Sequence, residues 1–185
     1  MTAFIATYSG RKLDLLSPNP DIISIEEIAM SLSRECRFHN QTGIVYTVAQ
    51  HCLEVSALCS TWEGRIWGLL HDAGEAYYGD LTTQLKNQPM IRDFWSYMER
   101  QWFEMFAVKY GLKLPMPPEV KSADMVMLAI ERRALLPDTV EVNEAFADAE
   151  RDLHPPFRVV AVLTKTEAEL RYVQLFYKLL AERPQ

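Results

Sequence analysis

The sequence lacks a cysteine framework and any long hydrophobic run. Its three cysteines, at positions 36, 52 and 59, are too few and too irregularly spaced for a disulfide scaffold, and we expect Cys52 and Cys59 to be buried free thiols. No apolar run approaches the roughly 20 residues of a membrane span. No signal peptide is visible, so we expect no membrane contact and a cytoplasmic protein.

Positive charge is also scarce. Nineteen Lys and Arg face 25 Asp and Glu, which gives a net charge of −6. Because a nucleic-acid surface normally needs a basic face, we expect no nucleic-acid partner. A small phosphorylated ligand stays possible, since a few cations or a metal ion are enough to bind it. The length of 185 residues, of which 49% are hydrophobic, fits one globular domain spanning residues 1–185.

Periodicity predicts a short N-terminal β-hairpin followed by helices. Residues 4–8 and 11–16 have the pattern of two strands around a Ser-Gly turn. Ser24, Thr47 and Thr164 each precede a Glu or Gln by three residues, which is the capping box that opens a helix. Further helical patterns cover residues 62–78, 91–110 and 119–136.

Two other segments carry weaker predictions. The acidic stretch 137–156 predicts a short helix with loops, in which His154 is a surface or structural residue. The helix 91–110 carries an aromatic stripe typical of a core or a subunit interface, from which we expect a homo-oligomer. The stripe consists of Phe94, Trp95, Met98, Trp102, Phe103, Met105 and Phe106.

The stretch that offers chemistry is His71-Asp72, which follows an apolar run at 66–70. A helix that ends there carries an imidazole and a carboxylate out of the core together, a donor pair suited to first-row divalent cations. Glu75 follows three and four residues later, so one helical turn returns it to the same side.

Two further residues gain meaning only beside that pair. His51 lies next to the inward stripe of its helix, where a hydrogen-bonded core histidine is the ordinary interpretation. Asp124, near the start of a helix, is explained equally well by the helix dipole. Together the four side chains offer two nitrogens and two carboxylates from separate helices, and such a set leaves coordination positions open for catalysis.

The loop 34–43 carries Arg37 and Phe38. Loops often carry binding groups. The alternative, that Arg37 is a solvated charge and Phe38 fills the core, stays open at this point.

This order of residues resembles the HD superfamily of metal-dependent phosphohydrolases. Residues 48–52 are similar to the family's first-histidine helix, and 70–75 with 79–83 resemble the central block of its small deoxynucleotidase branch. The Ser-Gly-Arg hairpin, residues 15–20 and the Arg37-Phe38 pair are similar to compact bacterial and phage members, including phage enzymes that convert dATP to deoxyadenosine and triphosphate. The resemblance covers about residues 7–136.

The resemblance implies an all-α HD-domain helical bundle and hydrolysis of deoxynucleoside mono- or triphosphates. It implies a divalent metal ion, Zn, Co or Mn, with Mg possible on the phosphate tail, and a small nucleotide as the partner. Its implied metal ligands are His51, His71, Asp72 and Asp124. Its other implied site residues are Glu75 as acid or base, Asp80 at the sugar hydroxyl or the same proton transfer, Arg37 and Lys86 at phosphate, and Phe38 against the deoxyribose, where the 5′-deoxynucleotidases carry a Trp.

Two alternatives keep the scaffold. One is an HD-type hydrolase of a cyclic or pyrophosphorylated signalling nucleotide. The other is a non-catalytic nucleotide sensor or adaptor, against which Glu75 and the full ligand set argue, because a sensor has no use for a proton-transfer residue.

Overall fold

A computed structural model describes residues 3–137 and 161–184 of the chain. Within them the chain is mostly helical with one small antiparallel hairpin, as predicted. The elements are β1 (Phe4–Ala6), β2 (Lys12–Asp14), α1 (Ile25–Leu32), a 3-10 turn (Arg37–Asn40), α2 (Val48–Leu58), α3 (Trp62–Leu70), α4 (Glu75–Tyr78), α5 (Thr83–Lys86), α6 (Arg92–Tyr110), α7 (Pro118–Leu135) and α8 (Lys165–Ala181). The predictions for residues 138–156, including His154, lie outside the described residues.

The N-terminal hairpin forms where the strand pattern predicts it. Ile5 pairs with Leu13 in the antiparallel register, and Gly10 turns the chain with a φ of +77° that favours glycine. Leu13 is fully buried, so the hairpin covers one edge of the helical core.

The N-cap residues and the terminal glycine read from the sequence mark the observed ends of several helices. Ser24 and Thr47 are the N-caps of α1 and α2, and each side chain accepts a hydrogen bond from the backbone N–H three residues on. The C-terminal helix α8 has the complete capping box of Thr164. Gly111 ends α6 in the left-handed conformation, with φ of 63°.

In a complete capping box the Glu or Gln side chain also accepts from the backbone N–H of the N-cap residue. The prediction of this second hydrogen bond is wrong for α1 and α2. The Glu27 carboxylate accepts from the Ser9 backbone N–H at 2.8 Å instead of reaching back to its own N-cap. The Gln50 amide donates to the Ala161 carbonyl at 3.2 Å and accepts from the Leu163 N–H at 2.9 Å. Both side chains are buried, and distant backbone groups take the place of the N-cap as their hydrogen-bond partners.

The core that supports the site lies where α2 packs on α3, α7 and α8. Gly68 of α3 faces the α2 backbone so closely that a Cβ there would lie 3.0 Å from the Cα of Ser56. This close approach packs α3 directly against α2. Cys52 and Cys59 are buried free thiols, as predicted.

The aromatic stripe of α6 is only partly core. Trp102 and Phe106 are buried, whereas Phe94 is 52% exposed. None of the described helices combines the length and the apolar character needed to cross a bilayer.

Candidate metal centre

Three helices carry the four predicted ligands to one place. His51 stands on the second turn of α2, and Asp124 stands on α7. His71 is the C-cap of α3, so the apolar residues 66–70 hold it and Asp72 at the edge of the core. The sequence prediction that these side chains converge agrees with this arrangement.

The ligand atoms lie within a few ångström of one another. The two Nε2 atoms of His51 and His71 are 3.3 Å apart. Asp72 Oδ2 lies 3.2 Å from His71 Nε2 and 3.7 Å from His51 Nε2. Asp124 Oδ1 lies 3.3 Å from His51 Nε2 and 4.0 Å from His71 Nε2.

Hydrogen bonds on the far side of each imidazole fix its orientation. His71 Nδ1 donates to the Gly68 carbonyl at 2.8 Å, because a carbonyl oxygen can only accept. His51 Nδ1 pairs with Glu131 Oε1 at 2.7 Å. Both rings therefore turn Nε2 toward the carboxylates, as histidine ligands held by a carbonyl or carboxylate do.

This donor set fits a divalent cation. His51, His71 and Asp72 each place one donor atom within 4.8 Å of the other two, so these three residues could hold a metal ion. Asp124 is not part of that three-residue group, although its Oδ1 lies 3.3 Å from His51 Nε2. Imidazole nitrogen and carboxylate oxygen are donors that first-row divalent ions accept.

The centre opens into a cavity of about 840 Å³. A volume of this size accommodates a small organic ligand. Apart from His51, which is buried behind the wall, every predicted site residue lines it: Arg37, Phe38, His71, Asp72, Glu75, Asp80, Lys86 and Asp124.

Comparison with known proteins identifies relatives of the chain. No family model matches. The chain is 41% identical over 133 residues to the "Uncharacterized protein YfdR" of Escherichia coli strain K12. These aligned residues cover 72% of each chain. The chain belongs to the YfdR family. A second relative, the "Uncharacterized protein RCAP_rcc00048" of Rhodobacter capsulatus, is 32% identical over 148 residues, or 76% of this chain and 74% of the relative.

Because neither relative's name states an activity, the chemistry of this YfdR-family chain is inferred from its site.

Burial by itself would raise the pKa of Asp72, but the charges of His71, His51 and Arg37 hold that pKa well below its usual range. Burial is likewise outweighed at Asp124, whose pKa is lowered by the hydrogen bond to His51 and the charge of His71. Both carboxylates are therefore ionised at neutral pH.

Neighbouring carboxylates favour positive charge on His51. Burial and the charge of Arg37 lower the pKa of His51, yet the charge of Glu131 and the hydrogen bonds to Asp124 and Glu131 outweigh them and raise it to about 9. A metal ion at Nε2 would compete with a proton for the same nitrogen.

The carboxyl group of Glu75, which also lines the cavity, has a different environment from those of Asp72 and Asp124. Glu75 is 4% exposed, and its Oε1 accepts from Lys86 Nζ at 3.0 Å. Its Oε2 is buried without a hydrogen-bond partner in the described ranges 3–137 and 161–184. Burial, and then the charges of Asp72 and Asp80, raise the pKa of Glu75 well above its usual range, against the opposing effect of Lys86.

Sequence reasoning missed two residues of the site. Glu131, 1% exposed, holds His51 as described above and also accepts from Arg37 Nε at 3.2 Å. Its spacing of seven from Asp124, two helical turns along the same face, is the signal that could have found it. The other is Lys121, whose Nζ lies 3.2 Å from Asp124 Oδ2.

The side chains predicted to contact substrate line the cavity, but Arg37 and Lys86 already contact carboxylates of the protein. Arg37 lies against Glu131 and Asp72, and Lys86 also lies 3.4 Å from Glu99 Oε1. Phe38 begins a run of three non-glycine residues with φ between 49° and 60°, a left-handed backbone that costs roughly 1–2 kcal/mol per residue. Phe38 and His39 of this run line the cavity.

Proposed function

We propose that this chain is a divalent-metal-dependent phosphohydrolase of the HD superfamily that acts on deoxynucleotides. Its substrates are deoxynucleoside triphosphates, from which triphosphate is released, or deoxynucleoside monophosphates, from which phosphate is released. The observation that carries the proposal is the convergence of two imidazoles and two carboxylates at the wall of a nucleotide-sized cavity.

The protein's first task in this proposal is to hold the cation. His51, His71, Asp72 and Asp124 would bind Zn, Co or Mn, with Mg possible on the phosphate tail. When bound, such an ion supplies Lewis acidity, which neutralises phosphoryl charge and makes water nucleophilic at neutral pH. The metal also explains how a chain with a net charge of −6 accepts an anionic substrate, because the ion is the dominant local charge.

The second task is to move a proton. Glu75 lines the cavity beside the ligand set and keeps its proton to a higher pH than an ordinary glutamic acid. A neutral carboxyl can protonate the leaving ester oxygen, and the carboxylate that results can accept a proton from water. Lys86 restrains one oxygen of Glu75, and the other, which has no hydrogen-bond partner among the described residues, is proposed to exchange the proton.

The third task is to recognise the nucleotide. Asp80 is proposed to contact the sugar hydroxyl or assist the proton transfer, and Phe38 to pack on the deoxyribose. Phosphate contacts by Arg37 and Lys86 stay predictions. Lys121 adds a candidate cation, since it lies beside the ligand Asp124 at the cavity wall.

A matrix of metals and substrates tests this function. Purified protein is stripped of metal, supplied with Mn, Co, Zn or Mg, and offered deoxynucleotides, ribonucleotides and cyclic or pyrophosphorylated nucleotides. Phosphate, pyrophosphate and triphosphate are measured separately. We expect release only with metal and fastest with deoxynucleotides.

The matched variants are Asp72→Ala in the site and Asp21→Ala on the exposed loop before α1. Asp72→Ala should abolish release and Asp21→Ala should not. Release that survives in Asp72→Ala, or that needs no metal, would show that the proposal is wrong. Turnover confined to signalling nucleotides would replace the substrate class.

A further inference from the structure

We propose that Arg37 and Glu131 form an outer shell that orients His51 and Asp72 for metal binding, which makes Arg37 a positioning residue of the metal centre. This rests on the proposed function in one respect, the binding of a cation by the four ligands. It differs from the phosphate contact that the sequence resemblance implies for Arg37.

Glu131 divides its two oxygens between a ligand and a cation. Oε1 faces His51 Nδ1 at 2.7 Å and Oε2 accepts from Arg37 Nε at 3.2 Å. The carboxylate is 1% exposed, and a buried carboxylate is stable only when it is paired. The position of the Glu131 carboxylate therefore depends on both of its partners, His51 and Arg37.

Arg37 continues the connection to the second ligand. Its Nη1 lies 3.9 Å from Asp72 Oδ2, and its side chain is 13% exposed. Since His51 Nε2 lies 3.7 Å from the same Asp72 oxygen, the contacts close into a ring of four residues. The ring connects a ligand on α2 with one that follows α3.

The backbone around Arg37 fixes it in this position. Its N–H donates to the Tyr46 carbonyl at 2.9 Å, and its guanidinium carbon lies 5.8 Å from the Phe38 ring centroid. The left-handed turn that starts at Phe38 directs the chain away immediately after Arg37. A side chain held in this way suits the orientation of neighbouring groups.

The charges give the arrangement its purpose. Arg37 pairs with one oxygen of the Glu131 carboxylate while His51 Nδ1 faces the other, so the two contacts together set the position of the carboxylate beside the His51 ring. Outer partners of this kind typically change metal affinity by about 10–100-fold when they are replaced.

The test measures metal affinity without substrate. Full-length metal-free protein competes with a chromophoric chelator for Co²⁺, in wild type, Arg37→Gln, Arg37→Lys and the isosteric Glu131→Gln. The controls are Arg11→Lys, an arginine bonded to Ser9 and Asp21 outside the site, and Glu27→Gln, a buried glutamate at the hairpin. Circular dichroism verifies that each variant is folded.

We expect the Co²⁺ dissociation constant to rise about 10–100-fold in all three site variants and to stay within about twofold of wild type in both controls. At saturating Co²⁺ the visible absorption of Glu131→Gln should shift, because the His51 ring is no longer held.

Two results would overturn the inference and they are distinguishable. If wild type binds Co²⁺ and Arg37→Gln and Arg37→Lys bind it equally well while KM rises, Arg37 is a phosphate contact and only this inference fails. If wild type binds no Co²⁺, the proposed function fails with it.

Discussion

Asp72 and Glu75 lie three residues apart in one turn of chain, line the same cavity and have opposite protonation preferences. Asp72 has His71 Nε2 at 3.2 Å and Arg37 nearby, so its pKa is lowered despite burial. Glu75 has Lys86 as a cation against burial and two neighbouring acids, so its pKa is raised. The charge of a carboxyl group here is decided by its partners.

The difference assigns the two groups to different work. In the proposed function the carboxylate that stays charged, Asp72, serves as a metal ligand, and the carboxyl that keeps its proton, Glu75, serves as a general acid. Both properties arise within four residues because the chain turns sharply between α3 and α4, with Glu75 N–H donating to the Asp72 carbonyl at 3.0 Å. The following substitutions break or sharpen this comparison.

Removal of the charge at Asp72 breaks the comparison at its ionised end. Asp72→Asn takes away a negative ligand, so we expect kcat/KM for phosphate release to fall by at least about 10³-fold, the equivalent of several kcal/mol of metal-derived stabilisation. Metal content, measured by mass spectrometry, should fall in parallel. Activity within tenfold of wild type would contradict the ligand role.

Removal of the ionisable group at Glu75 tests the protonated member of the pair. Glu75→Gln should lower kcat by about 10²–10⁴-fold, the usual contribution of a general acid or base. Its metal affinity should equal that of wild type, because Glu75 is not a ligand. A loss of metal binding together with activity would merge the two roles that the comparison separates.

The charges around Glu75 sharpen the comparison through pH. A general acid works in its protonated form, so the rate falls as the pH rises through the pKa of Glu75. Lys86 lowers that pKa and Asp80 raises it. In a pH profile of kcat/KM, Lys86→Met should move this fall to higher pH and Asp80→Asn to lower pH. Displacement of both profiles in one direction would rule out Glu75 as the titrating acid.

A third carboxylate, Glu119 at the start of α7, gives the smallest effect. It is partly exposed and accepts hydrogen bonds from Ser60 and Thr61, chiefly the Thr61 side chain, which lower its pKa to about 2. Its stabilisation is complete above the unfolded value of about 4.3 and is lost as the pH falls toward 2. Solvent screening limits the effect of Glu119→Gln at pH 7 to less than about 1 kcal/mol.

Denaturant unfolding at pH 7 and pH 3 measures the contribution of Glu119, and the difference between variant and wild type should shrink at pH 3. Activity should be unaffected, because Glu119 is outside the cavity lining. A large loss of activity in Glu119→Gln would mean that the position of α7, rather than the charge of its residues, controls the site.

The parts of the fold that depend on neighbours in sequence were predictable. The hairpin, the extent of α6 and the end of α6 at Gly111 follow from alternation, periodicity and a glycine signal over short spans. The ligand set His51, His71, Asp72 and Asp124 was predicted through a family resemblance and stays a prediction. Their convergence required the packing of α2 on α3 and α7.

What could not be predicted depends on contacts between distant segments. Glu131 meets His51 across 80 positions and Arg37 across 94. Gln50 has the local signature of a capping partner, but the backbone at 161–163 takes its amide. No local pattern encodes such choices, because burial of a polar side chain is decided by whichever partner the fold brings to it.

The most direct test of the account is a titration of the metal-free protein with Mn²⁺, followed by electron paramagnetic resonance of the free ion. The account predicts one equivalent of Mn²⁺ bound per chain, no binding in His71→Ala, and unchanged binding in Glu75→Gln. The absence of binding in wild type, or equal binding in His71→Ala, would contradict the central claim that these four side chains bind one divalent cation.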